Sequence, residues 1–425
     1  MRGRWETTVD ARRSIGSGAR AALSQARRVT DDLFTVVPAT VWYDRPVPER
    51  HRLVFYAGHL ESFDWNLVRT TLDLRAFHPS FDRLFAFGID PHAGHLPDDS
   101  PSDWPALKEI VEYTRHLRSV LDTVVETIPP VLLNVAVEHR LMHAETFTYL
   151  LHNLVEPLSA LSSRARTAQD PIPPGAHAVI EIPAGTATLG RERLPEDDTP
   201  DGRVHFGWDN EFGAASTFVP SFRISKYKVT NRQYLAFVND GAQPPHFWRR
   251  RDSQWCWRTV SGEIPLPLEW PVYVTQEEAQ AYARWAGGAL PSEHQFHRAA
   301  YGTPSGEERS YPWGEDPPDS RRGNFNFYHW DPVEVTATPL GDSAFGVAQL
   351  VGNGWEWTST VFGPFPGFHP YPFYPGYSAD FFDGQHVVLK GGSPRTAARL
   401  LRRSFRNWFR PNYPYVYATF RCIEA

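Results

Sequence analysis

The chain has 425 residues, 41% of them hydrophobic and 22% charged, with a formal net charge of -6. That balance argues against a disordered chain and offers no basic footprint for nucleic acid, and no apolar run reaches the ~20 residues a membrane helix needs. The length exceeds one ordinary core, so two domains are expected. The opening "MRGRWETTVDARRS" has charges with no apolar segment behind them and does not read as a signal peptide. Cys256 and Cys422 are the only cysteines, too few for a disulfide framework, and a reducing, cytoplasmic setting is the expectation.

Four amphipathic stretches open the chain, at roughly 17–36, 48–73, 103–128 and 130–160, and an antiparallel four-helix bundle is their simplest arrangement. In the third, Asp103 is placed to cap the start, and Leu107, Ile110, Val111, Leu117, Val120, Leu121 and Val124 recur at three-to-four spacing. The link from the second to the third, "RAFHPSFDRLFAFGIDPHAGHLPDDSPS", is long enough to suggest a working loop.

The fourth stretch carries "VEHRLMHAETF", in which His139 and His143 lie four residues apart and project from one helical face. His59 sits mid-way along the second stretch among Phe55, Phe63 and Leu67, so three imidazoles can converge between two helices. The competing readings are a helix with two incidental histidines and a hydrogen-bonded core histidine at 59. "HRLMH" is not the zinc-protease pattern, because Arg140 stands where a general base would be. Three imidazoles suit zinc, copper, iron or nickel, and three protein ligands leave positions open, as catalytic sites do. Glu145 and Asp64 are nearby carboxylates, each read as a partner that orients a ligating histidine, with a metal-ligand, solvated or capping role open for each.

"TAQDPIPPGAHA" at 167–178 breaks helix and marks a linker, placed at 167–177 between domains of 1–166 and 178–425. Beyond it come short strand-like pieces such as "AVIEIPAG", "FRISKYKVT" and "HVVLKGG", with two helical pieces, "TNRQYLAFVND" and "TQEEAQAYARWAGG", the second stopping at Gly287-Gly288. The class is α+β. Most of the 15 tryptophans and 38 prolines crowd this later part.

The later part holds six motifs in order: "KYKVTNRQYLAFVNDG", "WPVYVTQEEAQAYARWAGGALPSEHQFHRAAYG", "YPWGEDPP", "GDSAFGVAQLVGNGWEWTST", "VLKGGSPRT" and "FRNWFRP". This string closely resembles the formylglycine-generating-enzyme-like domain, a C-type-lectin-like fold, from about residue 178 to 425. "KGGSPRTAARLLRRSFRN" lacks the cysteines that carry formylglycine chemistry in that group, so that activity is not expected. Joined to a DinB-like bundle with three histidines, the whole chain resembles the ergothioneine-type synthases. Those are non-heme iron(II) enzymes that use O2 to join sulfur to the imidazole carbon of hercynine, the trimethylated histidine. The resemblance implies His59, His139 and His143 as iron ligands and Tyr374, first of "YPGYSADFF", as the catalytic tyrosine. It also implies substrate contacts from Asn407, Trp408, Phe409, Tyr377 and Met142.

Phe409 stands where members using γ-glutamylcysteine place an aspartate, and Met142 where many relatives carry glutamine. The long link offers Arg83, with His92 and His95, in place of the arginines that hold that donor's carboxylates. "GHLESFDWN" and "FDRLFAFGIDP" are more similar to the selenoneine synthase branch, which attaches selenium from a selenosugar to hercynine. Selenoneine synthesis is therefore the expectation, with an ergothioneine synthase using cysteine or another thiol as the alternative. A zinc-dependent thiol transferase and a non-catalytic lectin-like binding module are the readings from other classes.

Overall fold

The computed structural model of the chain describes residues 6–86, 96–158, 178–194 and 206–424. The chain divides into two units, Met1–Leu158 with Leu194–Phe206, and Ser159–Arg193 with Gly207–Ala425. The expected linker at 167–177 lies outside the described residues, as do His92 and His95.

The first unit is helical: α1 (Glu6–Thr35), α2 (Leu53–Arg69), α3 (Pro79–Leu84), α4 (Leu107–Val124) and α5 (Pro130–His152). α1 packs on α5, and α2 packs on both α4 and α5. The sequence already separates inner from outer helices. α4 buries one stripe, Ile110, Tyr113, Leu117 and Leu121, while α2 and α5 are buried nearly all round. Val111, expected on the inner face, is exposed, and Tyr113 takes that face instead. Asp103 does not cap α4. It sits in a 3-10 turn whose Ser100 N–H donates to its carboxylate at 2.7 Å. Pro105 disfavours helix at the residue before it, so α4 begins two residues later, its first turn closed by the Glu109 carboxylate accepting from Ala106 N–H at 3.0 Å.

Ion pairs buried between the helices fix their spacing. Arg140 on α5 donates to Asp64 at 2.6 Å and lies 3.2 Å from Glu61, both on α2. Glu61 also meets Arg27 of α1 at 3.2 Å and Arg118 of α4 at 2.6 Å. Burial alone would raise the Glu61 carboxyl, but Arg140, Arg27 and Arg118 outweigh it and hold it below the usual range. Asp64 has one close guanidinium, and burial wins there, lifting its carboxyl above the usual range.

The second unit opens with the strands β1 (Val179–Ile182), β2 (Gly185–Leu189), β3 (Ala215–Val219) and β4 (Phe222–Ser225). Then come α6 (Asn231–Asn239), β5 (Trp248–Arg251), β6 (Gln254–Thr259), β7 (Gly262–Pro265), α7 (Gln276–Trp285), β8 (Gly288–Ala289) and α8 (Glu293–Tyr301). It closes with β9 (Trp355–Val361), β10 (Val387–Lys390), β11 (Asn407–Phe409), β12 (Ala418–Thr419) and β13 (Ile423–Glu424). Two four-stranded sheets run β1-β4-β13-β8 and β11-β10-β9-β12, beside the pair β2-β3 and the triple β5-β6-β7. Thr230 with Gln233, Thr275 with Glu278 and Ser292 with Gln295 form capping boxes that start α6, α7 and α8. Gly287, at a positive φ of 76°, ends α7. α8 contributes Phe296 to a core it shares with Ile182, Ile224, Val347 and Leu350.

Replacing Arg140 by methionine strands Asp64 in the helical unit and is expected to cost about 3 kcal/mol. The double variant R140M/D64L, which removes both charges, is expected to recover most of that loss. Urea unfolding followed by far-UV circular dichroism checks both.

Candidate metal centre and aromatic site

α2 and α5 bring His59, His139 and His143 together, with their ligating nitrogens all within 4.8 Å of one another. His143 Nε2 lies 3.2 Å from His59 Nε2 and 3.1 Å from His139 Nε2. His59 donates its Nδ1 proton to the Phe85 carbonyl at 2.8 Å, which leaves Nε2 as a bare lone pair. Phe55 stacks on His59 with centroids 4.6 Å apart, and Phe63 stacks on His139 at 3.4 Å. Burial pushes the His59 imidazolium pKa down to about 3 and holds His139 and His143 well below the usual value. All three rings are therefore neutral near pH 7, the form that ligates metals.

The donor set fits a metal ion. A proton on His143 Nε2 can satisfy only one of its two neighbours, whereas a cation at the centre satisfies all three. His59, His139 and His143 would hold such an ion through neutral imidazole nitrogens, a donor type that suits zinc, copper, iron or nickel. Neither expected carboxylate joins the three histidines among the described residues. Asp64 gives its carboxylate to Arg140 rather than orienting a histidine. Glu145 lies half-buried on α5, two residues past His143 and so near the opposite side of the helix. Met142 is half-buried one position before His143.

In the second unit, Tyr374 and Tyr377 lie in one turn, where Tyr377 N–H donates to the Tyr374 carbonyl at 3.3 Å. Tyr377 stacks on Trp208 at 3.9 Å and meets Trp408 edge-on at 5.5 Å. Tyr374 approaches Trp208 at 6.5 Å and Tyr377 at 5.6 Å, and Trp408 stacks on Phe362 at 4.3 Å. Burial, then the charges of Asp209 and Asp380, push the Tyr374 hydroxyl well above its usual value, so it keeps its proton. Asn407, Trp408 and Phe409 form β11, with Trp408 opposite Val388 of β10. Side chains alternate along a strand, so Asn407 and Phe409 share the face opposite Trp408. Phe409 stacks on Tyr413 at 5.3 Å. Thus Tyr374, Tyr377 and Trp408 gather in one aromatic cluster, and Asn407 and Phe409 project from the other face of β11.

Sequence reading missed Trp208, Asp209 and the Phe85 carbonyl. Trp208 and Asp209 reach the cluster from more than 160 residues away, and Ser378 ties that approach by donating to Asp209. A backbone carbonyl has no signature in the sequence at all. Arg83, on α3, is exposed.

The sulfatase-modifying factor enzyme 1-like domain matches residues 165–425. "Hercynine oxygenase" of Mycolicibacterium thermoresistibile is 33% identical over 376 residues, covering 81% of this chain and 80% of its own. "Ergothioneine biosynthesis protein 1" of Neurospora crassa is 28% identical over 516 residues, covering 96% of this chain; the chain spans 58% of that relative's length. Among solved structures, PvdO from Pseudomonas aeruginosa is 20% identical, covers 58% of this chain and 93% of its own, and has a TM-score of 0.42, too distant to argue from. The chain belongs to the ergothioneine-type synthase family, and its second unit is a sulfatase-modifying-factor-like domain of C-type-lectin-like fold.

Proposed function

We propose that the protein is an O2-dependent enzyme that joins a chalcogen to the imidazole carbon of hercynine, with iron(II) held by His59, His139 and His143. The observation that carries this reading is the convergence of three neutral imidazole nitrogens within 4.8 Å in a family whose relatives bear the names hercynine oxygenase and ergothioneine biosynthesis protein. When bound, the iron supplies the redox chemistry that couples O2 reduction to formation of the new bond. The rest falls to the chain. Phe55 and Phe63 stack on two of the ligands and shield them from water. Tyr374 holds a proton on its hydroxyl at neutral pH and is the proposed donor of that proton. A trimethylammonium group has no hydrogen to donate, so aromatic faces such as Trp208, Tyr377 and Trp408 suit it.

The proposed donor is an uncharged selenosugar. Phe409 stands where a charged partner for a peptide donor is found in γ-glutamylcysteine-using members, and it stacks on Tyr413 in an aromatic pair that suits a sugar face. A thiol donor is the second reading, favoured by the relatives named for ergothioneine biosynthesis.

Anaerobic assembly with iron(II) and hercynine, then exposure to air with selenosugar, cysteine or γ-glutamylcysteine in parallel, tests both levels. Oxygen uptake and product are expected only with all components present, and fastest with the selenosugar. Faster turnover with cysteine moves the donor to the thiol reading, and no uptake with any donor removes the oxygenase reading. Metal analysis of His139→Ala is expected to show almost no bound iron. Tyr374→Phe is expected to keep its iron and lose about 100-fold or more in coupled product; an unchanged yield excludes Tyr374.

A further inference from the structure

The distal nitrogen of His59 donates to a backbone carbonyl that lies outside α2 and α5. Phe85 follows directly on α3, the short helix in the long link between α2 and α4. Its N–H closes the helix on Phe81 O at 3.0 Å, and its own carbonyl, an orphan of the helix end, accepts from His59. α3 is itself tied down at Asp82. Tyr113 of α4 donates to the Asp82 carboxylate at 2.6 Å, and Asn66 of α2 donates to the Asp82 carbonyl at 2.8 Å. The same Tyr113 hydroxyl lies 3.1 Å from Ser62 Oγ, so it joins α2 and α3 through one atom.

The close approach of α3 to α2 depends on a missing side chain. A Cβ at Gly58 would stand 2.6 Å from two carbons of the Phe85 ring. That ring is fully buried, with Phe55, Phe81, Trp104 and Tyr113 around it, and cannot swing aside freely. Glycine inside a helix is unfavourable by propensity, so its presence next to the ligand calls for a steric reason, and Phe85 supplies it.

We infer that α3 is a clamp that fixes the tautomer and ring plane of His59 through the Phe85 carbonyl, with Asp82, Tyr113 and Gly58 as positioning residues. The inference rests on the metal-centre reading above. It assigns the long link a role in preparing the metal site that does not depend on contact with any substrate. Outer partners of ligating histidines set their orientation and basicity, and losing one typically weakens metal binding 10- to 100-fold.

Cobalt(II) titration of the full chain, read by its visible absorption, tests the clamp without turnover. Gly58→Ala and Tyr113→Phe are expected to raise the cobalt Kd about tenfold or more and to shift the ligand-field bands. Helix propensity favours alanine at 58, so weaker binding there reports the Phe85 contact rather than helix content. Phe85→Leu in the Gly58→Ala background makes room for the new methyl group and keeps the backbone carbonyl, and is expected to restore affinity and spectrum. Leu121→Ala, two turns along α4 from Tyr113, is expected to lower the thermal midpoint and leave the cobalt Kd unchanged. Wild-type affinity and spectrum in both Gly58→Ala and Tyr113→Phe overturn the clamp, as does failure of Phe85→Leu to rescue. Equal cobalt binding by the wild type and His139→Ala overturns the metal centre beneath it, an outcome separable from the first because it appears without any clamp variant.

Discussion

Three imidazoles at the seam of α2 and α5, those of His59 and His139 buried and that of His143 half-buried, are the constraint on which the first unit is built. Burying polar nitrogens in an apolar seam is unfavourable unless each finds a partner. Here one nitrogen finds a carbonyl, and three others face one another at close range. Such an arrangement holds only if the two helices cannot slide or separate. Arg140 supplies that restraint from the next position along α5, gripping Asp64 and reaching Glu61 on α2. Its charge also matters to an ion at the histidines. An uncompensated guanidinium beside a dication would oppose binding, so the two carboxylates that balance Arg140 serve the centre electrostatically as well as mechanically.

The second unit solves a related problem with a tyrosine. A tyrosine hydroxyl is protonated at neutral pH in any case, and burial together with the charges of Asp209 and Asp380 holds the Tyr374 hydroxyl still more firmly in that form. Its turn is pinned on both sides. Tyr371 donates from its hydroxyl to Gly207 O at 2.6 Å, and Ser378 donates to Asp209. Both pins reach the same short segment, 207–209, so Tyr374 is held between two anchors in one wall.

Much of this was legible in the sequence, in proportion to how local the cause was. The spacing of His139 and His143 is helical arithmetic. The three capping boxes of the second unit stand in the sequence as T-x-x-Q, T-x-x-E and S-x-x-Q ahead of their helices. The same arithmetic, carried further, corrects Asp64. Position 63 lies one turn from His59 and shares its face, while position 64 is turned well away, toward Arg140. Pro105 likewise announces that α4 cannot start at Asp103. α3 had a weaker sign: Pro79 is a favoured first residue, and His78 accepts at Nδ1 from Phe81 N–H as its cap. What the sequence could not carry are the long-range meetings, such as Trp208 with Tyr377 and Phe85 O with His59. Neither follows from periodicity, because each depends on where a loop returns.

The strand β11 shows how one short element can place neighbouring side chains in two different aromatic groups. Pleating sends Trp408 to the cluster that holds Tyr374 and Tyr377, and sends Phe409 to Tyr413 on the other face. Trp408 and Phe409 are thus neighbours in sequence whose side chains leave β11 on opposite faces. A change at 409 alters charge on one face without repacking the other, since the stack of Trp408 on Phe362 does not pass through it.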